Sequence, residues 1–279
     1  MNVVQVENVV KEYQLGEQRV VALKRVSLSI EQGVFMAIAG PSGSGKTTLL
    51  NLIGCIDTPS EGRILIDGND VAGRKADELA RLRNRTIGFI FQTFNLLPVL
   101  TAAENVEYPL LRREDISTEE RTRRVRQYLE LVGLGAHMER RPNQLSGGQR
   151  QRVAIARALA VSPRIVLADE PTANLDRKTG DEILQLMRSL NKRLGTTFIF
   201  STHDKRVMAM ADRLVRMDDG EVVLLGVRNA DRWSYVNERR RPKSDAGDKG
   251  DGESGSGKAD NEKSDNSIGR RKSDAEQTQ

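Results

Sequence analysis

The chain has 279 residues, 44 basic and 39 acidic side chains, a net charge of +5, 38% hydrophobic residues and one cysteine. A membrane-spanning helix needs about 20 consecutive apolar residues, and the longest comparable stretch, Val34–Gly40, is far shorter; the opening MNVVQVENVVKEY also lacks the basic start and apolar block of a secretory leader. Cys55 alone excludes an internal disulfide and a cysteine-cluster metal site, and reads as a small residue in a reducing compartment.

Val3, Val4, Val6, Val9 and Val10 open the chain with strand-like alternation, and Val26–Ile30 predicts a second strand. Gly33 marks a turn. Phe35–Ala39 is a short continuous apolar run ending in glycine, the pattern of a strand buried on both faces of a parallel sheet. Thr47–Ile53 reads as a helix, Arg63–Ile66 as a strand closed by a turn at Asp67-Gly68, and Ile87–Phe91 as another buried strand. From about Thr93 to Ala160 the pattern is helices and loops without a convincing strand. Ser117-Thr-Glu-Glu120 there predicts a capping box, with Val125, Leu129 and Val132 at helical spacing behind it. Alternation then resumes: strand Ile165–Ala168, helix Lys178–Leu190, strand Thr197–Ser201, short helix Lys205–Ala211, and a final edge strand at Val222–Leu225. Such alternation implies a parallel sheet with helices on both faces, interrupted by a helical insertion over about residues 93–160.

Residues 231–279 carry 11 basic and 11 acidic residues, which leaves 33 and 28 of the totals, and so the whole net charge, in residues 1–230. We expect one folded domain over 1–230 and a charged low-complexity segment over 231–279. After Val236 the only large aliphatic residue is Ile268, too little to offset ordering entropy, so about 237–279 is expected to be disordered. Lys-Ser-Asp recurs at Lys243–Asp245, Lys263–Asp265 and Lys272–Asp274, through compositional drift or as a tether to an unknown acidic partner.

Gly40-Pro41-Ser42-Gly43-Ser44-Gly45-Lys46-Thr47 fits the phosphate-loop pattern G-x-x-x-x-G-K-[ST] in full, between a buried strand and a helix. Glycines let backbone N–H groups turn inward on phosphates, and the following helix adds its positive end. Lys46 would reach the β- and γ-phosphates, and Thr47 would offer a hydroxyl to Mg²⁺. Gly252–Lys258 also spells G-x-x-x-x-G-K, but Ala259 has no hydroxyl and no strand precedes it, so it is read as a coincidence. The strand at Ile165–Ala168 ends in Asp169-Glu170. Side chains alternate along a strand, so the two carboxylates point differently. Asp169 is placed to hold the magnesium shell, and Glu170 to polarise water as a general base.

Leu145-Ser146-Gly147-Gly148-Gln149, followed by Arg150-Gln-Arg-Val-Ala-Ile-Ala-Arg157, resembles the signature of ABC-type ATPases. The resemblance covers about residues 1–228. It implies an α/β P-loop NTPase fold with an N-terminal antiparallel β subdomain and an inserted helical subdomain. It also implies ATP and Mg²⁺ as cofactors. Tyr13 looks like the aromatic on which adenine stacks, and Thr48 continues the phosphate loop. Gln92 resembles the glutamine that contacts magnesium and senses the partner. Asn174-Leu175-Asp176 resembles the D-loop. His203 resembles the switch histidine that contacts the γ-phosphate and Glu170. His137 matches nothing in the pattern and is expected to be an exposed surface residue. Ser146 opens a helix whose N-terminus suits an anion. In the family that anion is the γ-phosphate held by the other subunit, which implies an ATP-dependent homodimer opened by hydrolysis.

With no spanning segment, the resemblance implies a separately encoded membrane permease, which the loop Phe94-Asn-Leu-Leu-Pro98 would meet. It also implies a cytoplasmic place on the inner face of the cell membrane. Ile87–Pro98, Leu100-Thr101, Glu104–Leu110 and Asn51–Asp57 are similar to the lipoprotein-release and macrolide-export group, whose permeases have four helices and large extracytoplasmic domains. Ala173, where many relatives in that group have glycine, is a small departure. ATPase subunits of polar amino-acid importers share much of the same stretch. Soluble ABC ATPases of nucleic-acid or ribosome work form a third class. The 100 residues between Lys46 and Ser146, without sustained heptads, and the presence of one cassette weigh against that class, so no nucleic-acid partner is expected.

Overall fold

Strand and helix patterns divide the chain between two sheets and a helical layer. A computed structural model describes residues 1–229 and 232–236. The readings made of residues from 237 on, including the Lys-Ser-Asp repeats and the Gly252–Lys258 loop, lie outside the described residues. In chain order the elements are β1 (Asn2–Leu15), β2 (Gln18–Glu31), β3 (Phe35–Ala39), α1 (Lys46–Ile53), β4 (Glu61–Ile66) and β5 (Asn69–Asp70). Next come α2 (Ala76–Thr86), β6 (Ile87–Ile90), α3 (Ala102–Glu107), α4 (Thr118–Leu131), α5 (Gly147–Ala160) and β7 (Ile165–Asp169). Last are α6 (Arg177–Leu194), β8 (Thr197–Thr202), α7 (Lys205–Met210), β9 (Arg213–Asp218), β10 (Glu221–Asn229) and β11 (Arg232–Val236).

One sheet has the order β2-β1-β4-β5 and is antiparallel throughout. The other has seven strands in the order β11-β10-β9-β3-β8-β7-β6. Strands β9, β3, β8, β7 and β6 of that sheet run parallel. Strand period decides how it is buried. Phe35, Ala37, Val166, Ala168, Phe198 and Phe200 join one core with the apolar faces of α5 and α6. The intervening Met36, Ile38, Ile165, Leu167 and Ile199 join a second core with α1 and the antiparallel sheet. The short apolar runs are thus explained by burial on both faces. Phe35, Phe198 and Phe200 are fully buried, and the Phe35 and Phe200 ring centroids lie 4.5 Å apart. Truncating one of these rings should cost about 3–5 kcal/mol.

Between Thr93 and Ala160 the described residues contain helices α3, α4 and α5 and no strand, as expected. Several local expectations need correction. Ser117 caps α4 by accepting from the Glu120 amide at 3.2 Å, but the Glu120 carboxylate pairs with Arg124 at 2.6 Å and with Arg123 instead of closing the box. Two flexible guanidinium groups on its own helix outcompete the backbone donor. Val222–Leu225 is not at the sheet edge, because β10 is covered by β11. Strand β11 falls inside the segment read as tail, where Trp233 and Tyr235 stack over Gly226. Helix α2 and strand β9 were not foreseen. α2 buries only Leu79 and Thr86, and β9 alternates charged with apolar residues over a short span.

Candidate nucleotide site

Ligands of open parallel sheets bind outside the carboxyl ends of the strands. Four neighbouring strands, β3, β8, β7 and β6, bring their carboxyl ends to one line. β3 runs into Gly40, β8 into His203, β7 into Asp169 and Glu170, and β6 towards Gln92. Residues up to 163 positions apart in sequence therefore share one edge because of strand order alone.

The phosphate loop is shaped by glycine. Gly43 and Gly45 have φ of 79° and 95°, a region costly for other residues. A Cβ at Gly40 would lie 2.3 Å from the Met217 carbonyl oxygen, and one at Gly45 would lie 2.7 Å from that of Ala22. Gly45 caps α1 without a side chain, so the first amides of the helix stay open to an anion. Lys46 Nζ donates to the carbonyls of Gly40 at 2.9 Å and Pro41 at 2.8 Å, folding its charge over the loop. The buried Ser44 hydroxyl has no hydrogen-bond partner. Pro41, Ser42 and Thr47 are exposed, and Thr48 is half-buried. An open cradle of amides with a lysine across it fits a polyphosphate.

Glu170 leaves the strand in a left-handed conformation, φ 45°. This costs about 1–3 kcal/mol and persists only where the surroundings impose it. Its amide donates to the Ser201 carbonyl at 3.0 Å. Glu170 Oε1 lies 2.6 Å from His203 Nδ1 and accepts the His203 amide at 3.2 Å, while Oε2 accepts the Thr202 hydroxyl at 3.4 Å. The carboxylate is 18% exposed and the imidazole 78% exposed, so His203 faces solvent while it holds Glu170. Asp169 stays on the strand end, half-buried.

Gln92 is exposed, and its carbonyl accepts Asn174 Nδ2 at 2.9 Å, joining the β6 end to the D-loop. Asp176 caps α6 through the Thr179 amide at 3.0 Å, and the Thr179 bonds hold its carboxyl below the usual range. Ser146 caps α5 in a reciprocal box with Gln149. Gly148 lets α5 sit on α6: a Cβ there would lie 2.5 Å from Thr179 Cγ2. Within the chain, Ser146, Gly147, Gly148 and Asp176 share no hydrogen bond with the phosphate loop among the described residues. Tyr13, on β1, donates its phenol to Asp57 Oδ2 at 3.0 Å.

His137 is half-buried rather than exposed, in the short turn after α4, and its Nδ1 is buried without a partner. The sequence reading assigned Asp57 no role of its own, only a place at the end of the Asn51–Asp57 stretch. It also missed Asn105, which is fully buried and holds the loop after Gln92. Arg206 was missed too: it binds Asp204 at 2.6 Å and Asp181 at 2.9 Å, tying the His203 loop to α6.

A family model for ABC transporters matches residues 23–173. The chain is 48% identical over 223 residues to the lipoprotein-releasing system ATP-binding protein LolD of Anaeromyxobacter dehalogenans, covering 80% of this chain and 93% of that protein. It is 47% identical over 220 residues to the macrolide export ATP-binding/permease protein MacB of Brucella melitensis, covering 79% of this chain and 34% of that longer protein. Among solved structures it is similar to the ATP-binding cassette MJ0796 of Methanocaldococcus jannaschii, a dimer in a post-hydrolysis state bound to ADP and Pi. There the TM-score is 0.72 at 48% identity, over 83% of this chain and 97% of that one. The chain belongs to the ABC transporter family and is an ATP-binding, ATP-hydrolysing subunit of a transporter.

Proposed function

We propose that two copies of this chain close on two ATP molecules and drive a separately encoded permease of the lipoprotein-release and macrolide-export type. The observation that carries this reading is the single line of strand ends, with phosphate loop, Glu170, His203 and Gln92 side by side, and a signature helix start that shares no hydrogen bond with the phosphate loop among the described residues. In a head-to-tail pair Ser146 and Gly148 would meet the γ-phosphate on the partner's Lys46 loop. Tyr13 would stack on adenine, and Gly40 to Thr48 would hold the phosphates. Glu170 would take the proton of the attacking water, with His203 orienting it. Thr47, Gln92 and Asp169 supply a hydroxyl, an amide and a carboxylate oxygen, a donor set that fits Mg²⁺ completed by phosphates and water. When bound, that ion neutralises charge on the β- and γ-phosphates.

The described residues contain no helix long and apolar enough to cross a membrane. LolD is named an ATP-binding protein, while MacB is named for both ATP binding and permease. This chain matches the first at nearly full length, which supports a permease on another chain and a peripheral place on the inner membrane face. A cavity of about 590 Å³ is lined by Phe91 and Asn95, which flank Gln92 in the sequence. Phe89, Phe91, Tyr108 and Leu111 line it together with Arg112 and Arg157, a surface suited to an amphipathic permease helix. Leu97 and Val99 are exposed nearby, at 39% and 73%. The test is reconstitution in vesicles with the permease encoded in the adjacent reading frame. A four-span partner with a large external domain that stimulates ATPase activity supports the reading. A five- or six-span partner beside a binding protein would replace it with an importer.

A further inference from the structure

We propose that Asp57 and Lys11 are positioning residues that clamp the Tyr13 ring before nucleotide arrives and leave one face of it for the base. The inference rests on reading Tyr13 as the base platform. It adds what holds that platform, which face is used, and how it is tied to the phosphate loop.

Tyr13 sits on β1 opposite Val20 of β2, itself 42% exposed. Two contacts, linked through Asp57, hold the ring. The phenol donates to Asp57 Oδ2 at 3.0 Å. Lys11 Nζ stands 4.9 Å from the ring centroid and covers one face by a cation–π contact. Asp57 Oδ1 in turn accepts Lys11 Nζ at 2.6 Å and the Thr58 amide at 2.7 Å. Lys11 also donates to the Thr58 carbonyl at 2.8 Å and is 9% exposed. A lysine so buried needs its partner, because removing one member of a buried pair strands the other charge. The arrangement is therefore stiff.

The clamp also has an anchor. The Asp57 amide donates to the Asn51 carbonyl at 3.3 Å, on α1. That helix begins at Lys46. One rigid element thus carries the phosphate cradle at its start and the hydrogen-bond acceptor of Tyr13 just past its end. Burial first, and then Asp57, push the phenol above its ordinary value, so it stays a neutral donor at physiological pH. With Lys11 on one face, a base has the opposite face. Holding the ring in place beforehand removes an ordering cost from ATP binding.

The experiment measures ATP affinity by equilibrium binding, and KM and kcat, for the full chain and for Tyr13→Ala, Tyr13→Phe, Asp57→Ala and Tyr13→Phe/Asp57→Ala. Inorganic tripolyphosphate, which has no base, is the control ligand. Tyr13→Ala should weaken ATP binding about tenfold or more, the scale of a lost stacking platform. Tyr13→Phe keeps the ring but should still weaken it about three- to tenfold, the scale of a lost hydrogen bond. That loss should fall on KM, with tripolyphosphate affinity unmoved. In the double variant the losses should not add, since both break one link. If Tyr13→Ala binds ATP as wild type, the base-platform reading fails and the clamp falls with it. If Tyr13→Ala is weak while Tyr13→Phe matches wild type, the platform stands and the clamp is overturned. Tripolyphosphate losses parallel to those for ATP would also overturn it. Tyr13→Phe leaves the Lys11–Asp57 pair intact, so the test survives if Asp57→Ala fails to fold.

Discussion

Replacing Asn105 with alanine should loosen the loop that follows Gln92 and lower the stability of the whole domain. Asn105 is 1% exposed. Its Oδ1 accepts the Leu97 amide at 2.8 Å. Its Nδ2 faces the carbonyls of Leu97, Leu100 and Thr101 at 3.1, 3.2 and 2.9 Å. An amide has two N–H donors, so these contacts amount to about three full hydrogen bonds with the acceptor counted. At roughly 1 kcal/mol net for each, the loss is about 3 kcal/mol. For a domain of this size 1 kcal/mol moves Tm by about 2–4 °C, so the midpoint should fall by roughly 6–12 °C. Asn105→Asp keeps the acceptor but sets a carboxylate against three carbonyls, and should be at least as damaging. The assay is calorimetric unfolding with limited proteolysis across residues 93–101. A midpoint within 2 °C of wild type and an unchanged cleavage pattern would refute the reasoning. The same variant should lose permease-stimulated ATPase more than basal ATPase, because Leu97 and Val99 are presented by this loop.

Other outcomes follow from the site and the core. Gly40→Ala should abolish nucleotide binding, since its Cβ would lie 2.3 Å from the Met217 carbonyl oxygen; wild-type ATP affinity would contradict the shape assigned to the loop. Lys46→Ala should lose nucleotide binding while Lys258→Ala, in the second glycine-rich stretch, leaves it intact; equal effects in a binding assay would sink that distinction. Asp212 sits between opposing influences: burial raises its carboxyl, but Arg188, at 2.6 and 2.7 Å, and the Phe35 amide bring it below the ordinary value. A lowered carboxyl adds stability above its unfolded pKa, near 3.9 for aspartate, and loses it as pH falls through the folded value. Asp212→Asn should therefore show a shallower decline of unfolding free energy between about pH 5 and pH 2, measured by urea titration.

Local chemistry made much of the site legible before any coordinates. The phosphate loop needs its glycines in fixed spacing, and a buried strand must precede it, so Gly40–Thr47 could be read outright. Asp169 and Glu170 were legible because they follow a short apolar run that reads as a buried strand, whereas the role of His203 came from the resemblance of its motif. Other features depend on strand order, which the sequence does not spell out. That Glu170 and His203 touch was implied by the resemblance alone; its physical cause is that β7 and β8 are neighbours. Asp57 meets Tyr13 only because β1 crosses near the end of α1. Strand β11 was hidden because Arg232–Val236 is only five residues long, half-buried at Trp233 and exposed elsewhere, and it forms by pairing with β10. Helix α2 was hidden for a similar reason: it rests on two buried residues and one capping hydrogen bond, from the Lys75 amide to the Glu78 carboxylate at 3.0 Å.

The most direct test of the central claim is Glu170→Gln, assayed for ATP turnover and for association in the presence of Mg-ATP. Glutamine keeps the size of the side chain but cannot take a proton from water. Turnover should fall at least about a hundredfold, the contribution expected of a general base. ATP binding should persist, and the chain should accumulate as a dimer by light scattering, dispersing when nucleotide is removed. Hydrolysis at the wild-type rate, or a chain that stays monomeric with ATP bound, would contradict the assignment of Glu170 and the two-ATP dimer built on it.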